Sequence, residues 1–235
     1  MSVAENLARV REQIENAARR AGRNPNDITL VAVSKTFPVQ AVLEAYQAGA
    51  RDIGENRVEE AREKIPEVNR QLNEGKLRWH LIGHLQRRKA REGIAWFDVI
   101  QSLDTLRLAE TMNRHAVAAG IQVPVLLQVN IANDPQKFGF APEPRAALWR
   151  EMEKIAALPG LRVQGLMTIG PLVATAEQAR PYFRGLRVLR DELAARFINV
   201  EWRELSMGMT DDYAVAIEEG ATIVRIGRAI FGQRG

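Results

Sequence analysis

The sequence has no cysteine among its 235 residues, so disulfides, thiolate metal sites and cysteine nucleophiles are excluded. It has no apolar run approaching the length of a membrane span, so no membrane association is expected. The first 23 residues lack an uninterrupted apolar core and contain Glu5, Glu12 and Glu15, unlike a secretory or transit peptide. A reducing, cytoplasmic location is expected. No Gly/Ser-rich or Pro-rich linker divides the chain, which predicts a single domain over residues 1–235. Patterns of the GxSxG, HExxH, Walker A and GxGxxG types in their required contexts are missing as well. His80 and His84 are four apart, but no third ligand sits at a telling spacing, so no metal is expected. The basic run 86–91, QRRKAR, has no interleaved aromatic and reads as a solvated helix face with Leu85, Ala90 and Ile94 turned inward. Nucleic acid is not an expected partner. Lys+Arg number 33 against 29 Asp+Glu, a net +4 that can welcome an anionic ligand without demanding a polyanion.

What is present is a repeating alternation. Val3, Leu7, Val10, Ile14, Ala17 and Ala21 fall three or four apart after a Ser2–Glu5 capping pair, which predicts an N-terminal helix closed by Gly22 and Pro25. Eight short apolar runs follow, at 28–34, 50–54, 78–83, 98–102, 123–130, 161–168, 201–207 and 222–227. Helical periodicity fills the gaps at 38–48, 58–73, 103–119, 144–157, 174–195 and 211–219. Eight strand–helix units are the count of a closed barrel, whereas open doubly wound sheets usually stop at five or six. The expected fold is α/β, a single parallel (β/α)8 TIM-type barrel with an extra N-terminal helix.

In such a barrel the site lies at the C-terminal ends of the strands. Reading off those ends gives Ser34 and Lys35, Glu55 and Asn56, His84 and Gln86, Asn130 and Lys137, Met167 and Thr168, Ser206 through Thr210, and Arg225, Gly227 and Arg228. Lys35 closes the apolar run VAVSK, where desolvation lowers an amine's pKa and makes it able to attack an aldehyde. The plainer reading is a lysine that has simply emerged into solvent. Small and hydroxyl residues in SMGMT and RIGR, after the seventh and eighth strands, suit a phosphate. Arg225 shares a strand face with Gly227. It is either an ion-pair partner for Glu55 or Asp104 or a donor to a ligand's ring nitrogen.

The segments VAVSKTFP, DIGENRVEEAREK, WHLIGHLQRRK, QKFG, LRVQGLMTI and LSMGMTDDYAVAIEEGATIVRIGRAIFG together resemble the pyridoxal phosphate homeostasis proteins, relatives of the barrel domain of alanine racemase. The resemblance implies pyridoxal 5'-phosphate as a Schiff base on Lys35, with Asn56 and Met167 lining the cofactor. It implies that Ser206, Thr210, Gly227 and Arg228 surround the phosphate, that Met207 is among the cofactor-binding residues and that Arg225 faces the pyridine nitrogen. It further implies a role in vitamin B6 homeostasis with little or no turnover, with apoenzymes that need this cofactor as partners; a monomer is expected. Arg228, Thr210, Arg57 and Arg88 depart from the family's common residues, a small hydroxyl, Ser, an aromatic and Asn respectively. An amino-acid racemase, or a Schiff-base enzyme acting on a phosphorylated metabolite, are the alternative readings. Against the racemase, its second acid–base group is expected from a tyrosine, and only Tyr213 lies in a strand-end segment of a sequence that stops just after the eighth strand.

Overall fold

Each of the eight apolar runs overlaps a strand, and the strands close in chain order into an all-parallel barrel. The computed structural model describes residues 2–72, 75–171 and 173–233. The strands are β1 (Thr29–Val33), β2 (Asp52–Glu55), β3 (Arg78–Leu81), β4 (Val99–Leu103), β5 (Val123–Gln128), β6 (Leu161–Met167), β7 (Glu204–Ser206) and β8 (Ile223–Ile226). β1 seals the ring, with Val31 level with Asp52 of β2 on one side and Arg225 of β8 on the other. Parallel pairing requires crossovers, and helices supply them. They are α2 (Val39–Gln47), α3 (Val58–Leu72), α4 (Ala90–Trp96), α5 (Leu106–Ala118), α6 (Arg145–Ala156), α7 (Arg180–Arg196) and α8 (Tyr213–Glu218), with a final turn α9 (Arg228–Phe231).

The added N-terminal helix, α1 (Val3–Arg20), begins with the expected capping box: the Ser2 hydroxyl accepts from Glu5 N at 3.2 Å and Glu5 Oε2 accepts from Ser2 N at 2.8 Å. Its Leu7, Val10, Ile14 and Ala17 are buried, and the helix lies against α2, α8 and α9. Burying a leucine or isoleucine there is worth roughly 1.5–3 kcal/mol each.

Several boundaries differ from the sequence reading. The basic run forms a 3-10 turn, Arg87–Lys89, leading into α4, with Leu85 and Ala90 buried beneath it. α5 starts at Leu106 rather than 103 because β4 continues to Leu103 and the Thr105 hydroxyl caps Leu108 N. β7 is only three residues long, since Trp202 turns back to donate its indole N–H to Phe197 O at 3.1 Å. The 174–195 run splits into a 3-10 turn, Ala176–Ala179, and α7, and α9 follows a glycine that sequence reading treated as a strand end. Asn73, the last residue of the expected 58–73 helix, lies outside the described residues.

Two cores result. The large one lies between strands and helices, and a small one, Val31, Leu126, Met167 and Ile223, fills the barrel interior. β5 and β6 slip register at Val125/Leu126, next to Gly165, where a Cβ would come within 1.9 Å of Glu204 O. Only glycine admits that approach of two backbones.

Candidate functional site

Lys35 lies two residues past the end of β1, after Ser34, and is half-buried. The chain turns there at once: Phe37 N donates to Ser34 O at 3.0 Å, and Thr36 adopts φ 68°. A β-branched residue in the left-handed region costs about 1–3 kcal/mol and persists only when its surroundings hold it. Here they do. Thr36 N donates to Glu60 Oε1 at 2.6 Å, and the Lys64 ammonium reaches Ser34 O at 2.9 Å, Glu55 Oε1 at 2.7 Å and Glu60 Oε1 at 2.8 Å. The Ser34 hydroxyl adds a bond to Glu55 Oε1 at 2.6 Å. Burial pushes the Glu55 carboxyl above its ordinary range, with Lys64 opposing that rise. Lys35 therefore leaves the strand from a turn fixed on both sides by α3. Sequence reading missed Lys64 and Glu60; the only trace they leave is an i, i+4 ion pair on the helix following Glu55.

Beside the Lys35 turn, β7 and β8 end in two glycine turns. Gly208 has φ 91°, and a Cβ on it would lie 2.6 Å from Ala216 Cβ and 2.8 Å from Tyr213 Cα. Arg225 N donates to Gly208 O at 3.0 Å, and Met209 N donates to Asp212 Oδ1 at 2.6 Å. Met207 is fully buried and Thr210 half-buried. Gly227 is the N-cap of α9 and sits where a Cβ would meet Val33 O at 3.1 Å, so its backbone is pressed against the end of β1. The first N–H groups of a helix have no partner within it and point outward, a setting that suits an anion. Arg228 opens α9, but its guanidinium turns away to Asp211, at 2.5 and 2.7 Å from the two carboxylate oxygens.

Arg225 is buried on β8. Its Nη1 donates to the Ser206 hydroxyl at 2.6 Å and its Nη2 to Thr168 O at 2.8 Å. Glu55 and Asp104, the ion-pair partners considered from sequence, are engaged elsewhere, with Lys64 and His84. Burial pushes the Arg225 guanidinium down to about 10, partly offset by Asp212. The Ser206 hydroxyl accepts from Arg225 and donates into the barrel, so its side chain braces the arginine. Met167 is fully buried in the interior cluster. Asn56 is half-buried after β2, and its carbonyl fills the space a Cβ on Gly83 would occupy, 2.3 Å away.

The rim between β3 and β5 holds a pair that sequence reading left unassigned. His84 Nδ1 lies 2.6 Å from Asp104 Oδ2, and its ring stacks on Phe138 with centroids 3.8 Å apart. The Phe138 loop is fastened again where Lys137 Nζ donates to Gly170 O at 2.9 Å. Of the three tyrosines, Tyr46 and Tyr182 ride on α2 and α7, and the Tyr213 hydroxyl bonds Gln13 of α1, outside the barrel.

The family model for the alanine racemase N-terminal domain matches residues 6–235. The pyridoxal phosphate homeostasis protein of Aquifex aeolicus is 44% identical over 234 residues, covering 100% of this chain and 99% of its own. The chain belongs to the pyridoxal phosphate homeostasis protein family. Its Escherichia coli K12 relative is 41% identical over 237 residues, with 99% and 97% covered. PipY of Synechococcus elongatus PCC7942, solved with PLP bound, superposes with a TM-score of 0.85 at 38% identity, covering 98% of this chain and 100% of that one. Alanine racemase of Clostridium difficile 630, at 16% identity and a TM-score of 0.72, shares the fold. Of the four residues that the sequence reading set apart, Arg57 is exposed, exposed Arg88 donates to Gln86 at 3.1 Å, Thr210 is half-buried and Arg228 is held by Asp211.

Proposed function

We propose that this protein binds pyridoxal 5'-phosphate through a Schiff base to Lys35 and serves to hold and hand on the cofactor, with little or no turnover. The carrying observation is the pairing of a fixed lysine turn after β1 with a two-glycine cradle at the ends of β7 and β8, β8 being the neighbour of β1. The donor set suits this group. The backbone at Gly208, Gly227 and the start of α9 takes a phosphate, and buried Arg225 is a permanent donor facing a ring nitrogen. Asn56, Met167 and Thr210 complete the lining, Met207 adds only its backbone because its side chain packs in the core between strands and helices, and Ser206 acts through Arg225. The bound cofactor supplies a reactive aldehyde and an electron-withdrawing ring; the protein's residues bind and orient it.

Low turnover is supported by what the chain offers on the far side of such a ring. Racemisation needs an acid and a base on opposite faces. Lys35 provides one, while Tyr213 spends its hydroxyl on Gln13. Arg225, which donates but does not accept a proton, disfavours a protonated ring. A family-typical relative named for pyridoxal phosphate homeostasis accords with the same role.

The test is borohydride reduction of protein incubated with pyridoxal 5'-phosphate, followed by peptide mass mapping. A pyridoxyl adduct on the peptide bearing Lys35, abolished in Lys35→Ala together with the Schiff-base absorption band, is expected. Unchanged absorption in Lys35→Ala would sink the assignment.

A further inference from the structure

Barrel interiors of this fold are ordinarily filled by branched apolar side chains. Here a line of hydrogen bonds crosses the interior from β8 to β2. Arg225 Nη1 donates to Ser206 Oγ at 2.6 Å, and Ser206 Oγ donates to Gln101 Oε1 at 2.6 Å. Gln101 Nε2 lies 2.9 Å from His80 Nδ1, and His80 Nε2 lies 2.8 Å from Asp52 Oδ1. Ser206, Gln101 and His80 are fully buried, and Arg225 nearly so, while Asp52 and Arg78 stand at the strand starts where the barrel floor meets solvent.

The two ends fix the direction of every bond between them. Arg225 can only donate and the Asp52 carboxylate can only accept. His80 must carry its proton on Nε2 to reach Asp52, which leaves Nδ1 as an acceptor. Gln101 must then present its amide N–H to His80 and its carbonyl to Ser206. The Ser206 proton is thereby turned into the barrel, and its lone pairs are left for Arg225. Arg78 directs its Nε–H at His80 Nε2 at 3.3 Å and lies 3.1 Å from Asp52 Oδ1 as an ion-pair partner; the 2.8 Å contact between His80 Nε2 and the carboxylate is the shorter one and decides where the ring proton sits.

We propose that Gln101 and His80 are positioning residues for Arg225: a one-way hydrogen-bond chain anchored on Asp52 at the barrel floor sets which guanidinium N–H groups remain for the cofactor ring at the mouth. The inference rests on the cofactor reading above. Reversing any link forces two donors or two acceptors together farther along, so the chain acts as a unit. A change at the floor, which touches no ligand, is therefore felt at the ring.

Ser102 supplies the control. It neighbours Gln101 on β4, is equally buried, and its hydroxyl has no partner, so Ser102→Ala perturbs the same strand without touching the chain. The first measurement is 15N NMR of the histidine rings, of which the chain has three. His80 is expected as the neutral Nε2–H form, and Gln101→Glu, isosteric and unable to donate, is expected to draw a proton onto Nδ1. The second is the absorption maximum and release rate of bound pyridoxal 5'-phosphate. Gln101→Leu and Gln101→Glu should move the band and speed release about tenfold, while Ser102→Ala matches wild type. An Nδ1–H form of His80 in the wild type overturns the proposal. So does a band and release rate unchanged in both Gln101 variants, or a shift as large in Ser102→Ala. A wild type that develops no band overturns the cofactor reading and this proposal together; a wild-type band indifferent to Gln101 overturns this proposal alone.

Discussion

Replacing Lys64 by Met tests whether the turn that presents Lys35 is held by buried charge. The Lys64 side chain is 7% exposed and its partner Glu55 is fully buried, so the variant leaves a carboxylate in the interior without its cation. Removing one member of a buried pair costs about 3–5 kcal/mol, and at this chain length each kcal/mol lowers Tm by roughly 2–4 °C. A fall of about 6–20 °C is expected. The pH dependence identifies the cause. The folded-state pKa of Glu55 is already raised by burial, so its contribution to stability is fully present below its unfolded value and is lost as pH rises through the folded one. Without Lys64 that folded value climbs further, and the loss extends to higher pH. The stability gap between wild type and variant, measured by denaturant unfolding, should be small near about pH 5 and widen toward about pH 8. A gap of equal size at both would show that lost packing, not stranded charge, is responsible, and would refute the electrostatic account. Because Lys64 also holds Ser34 O, the variant should form the Schiff base more weakly wherever it remains folded.

Arg228→Ser should leave cofactor affinity within about threefold of wild type, because the guanidinium is held by Asp211; a tenfold loss by equilibrium dialysis, about 1.4 kcal/mol, would place it on the phosphate instead. Gly208→Ala forces a Cβ into Ala216 and Tyr213 at positive φ. It should cost about 1–3 kcal/mol in a thermal melt and weaken phosphate binding; an unperturbed Tm would contradict the local geometry. Chiral analysis of L-alanine after long incubation with the loaded protein should show turnover far below roughly one per second, and a rate at that level lost in Lys35→Ala would favour a racemase.

The sequence by itself determined the barrel and which rim carries the candidate site. Mainly apolar runs of five to eight residues separated by helical stretches can bury both faces only as parallel strands under crossover helices, and eight of them close. That ordering alone delivers Lys35, Asn56, Ser206, Gly208 and Gly227 to one rim. It did not determine what each side chain does there. From sequence Ser206 reads as a phosphate residue; only the fold shows Arg225 and Gln101, 19 and 105 residues away, on its hydroxyl. Position 228 reads as a phosphate neighbour; only the fold shows its guanidinium paired with Asp211 across two loops. Glu55 reads as a partner for Arg225 until α3 lays Lys64 over it, and His80 as an ordinary strand residue until β2 and β4 flank it with Asp52 and Gln101. Strand and helix follow from periodicity, a property of near neighbours in the chain. Hydrogen-bond partnership depends on barrel closure and register, which bring distant residues within 3 Å and leave buried polar groups no alternative to one another.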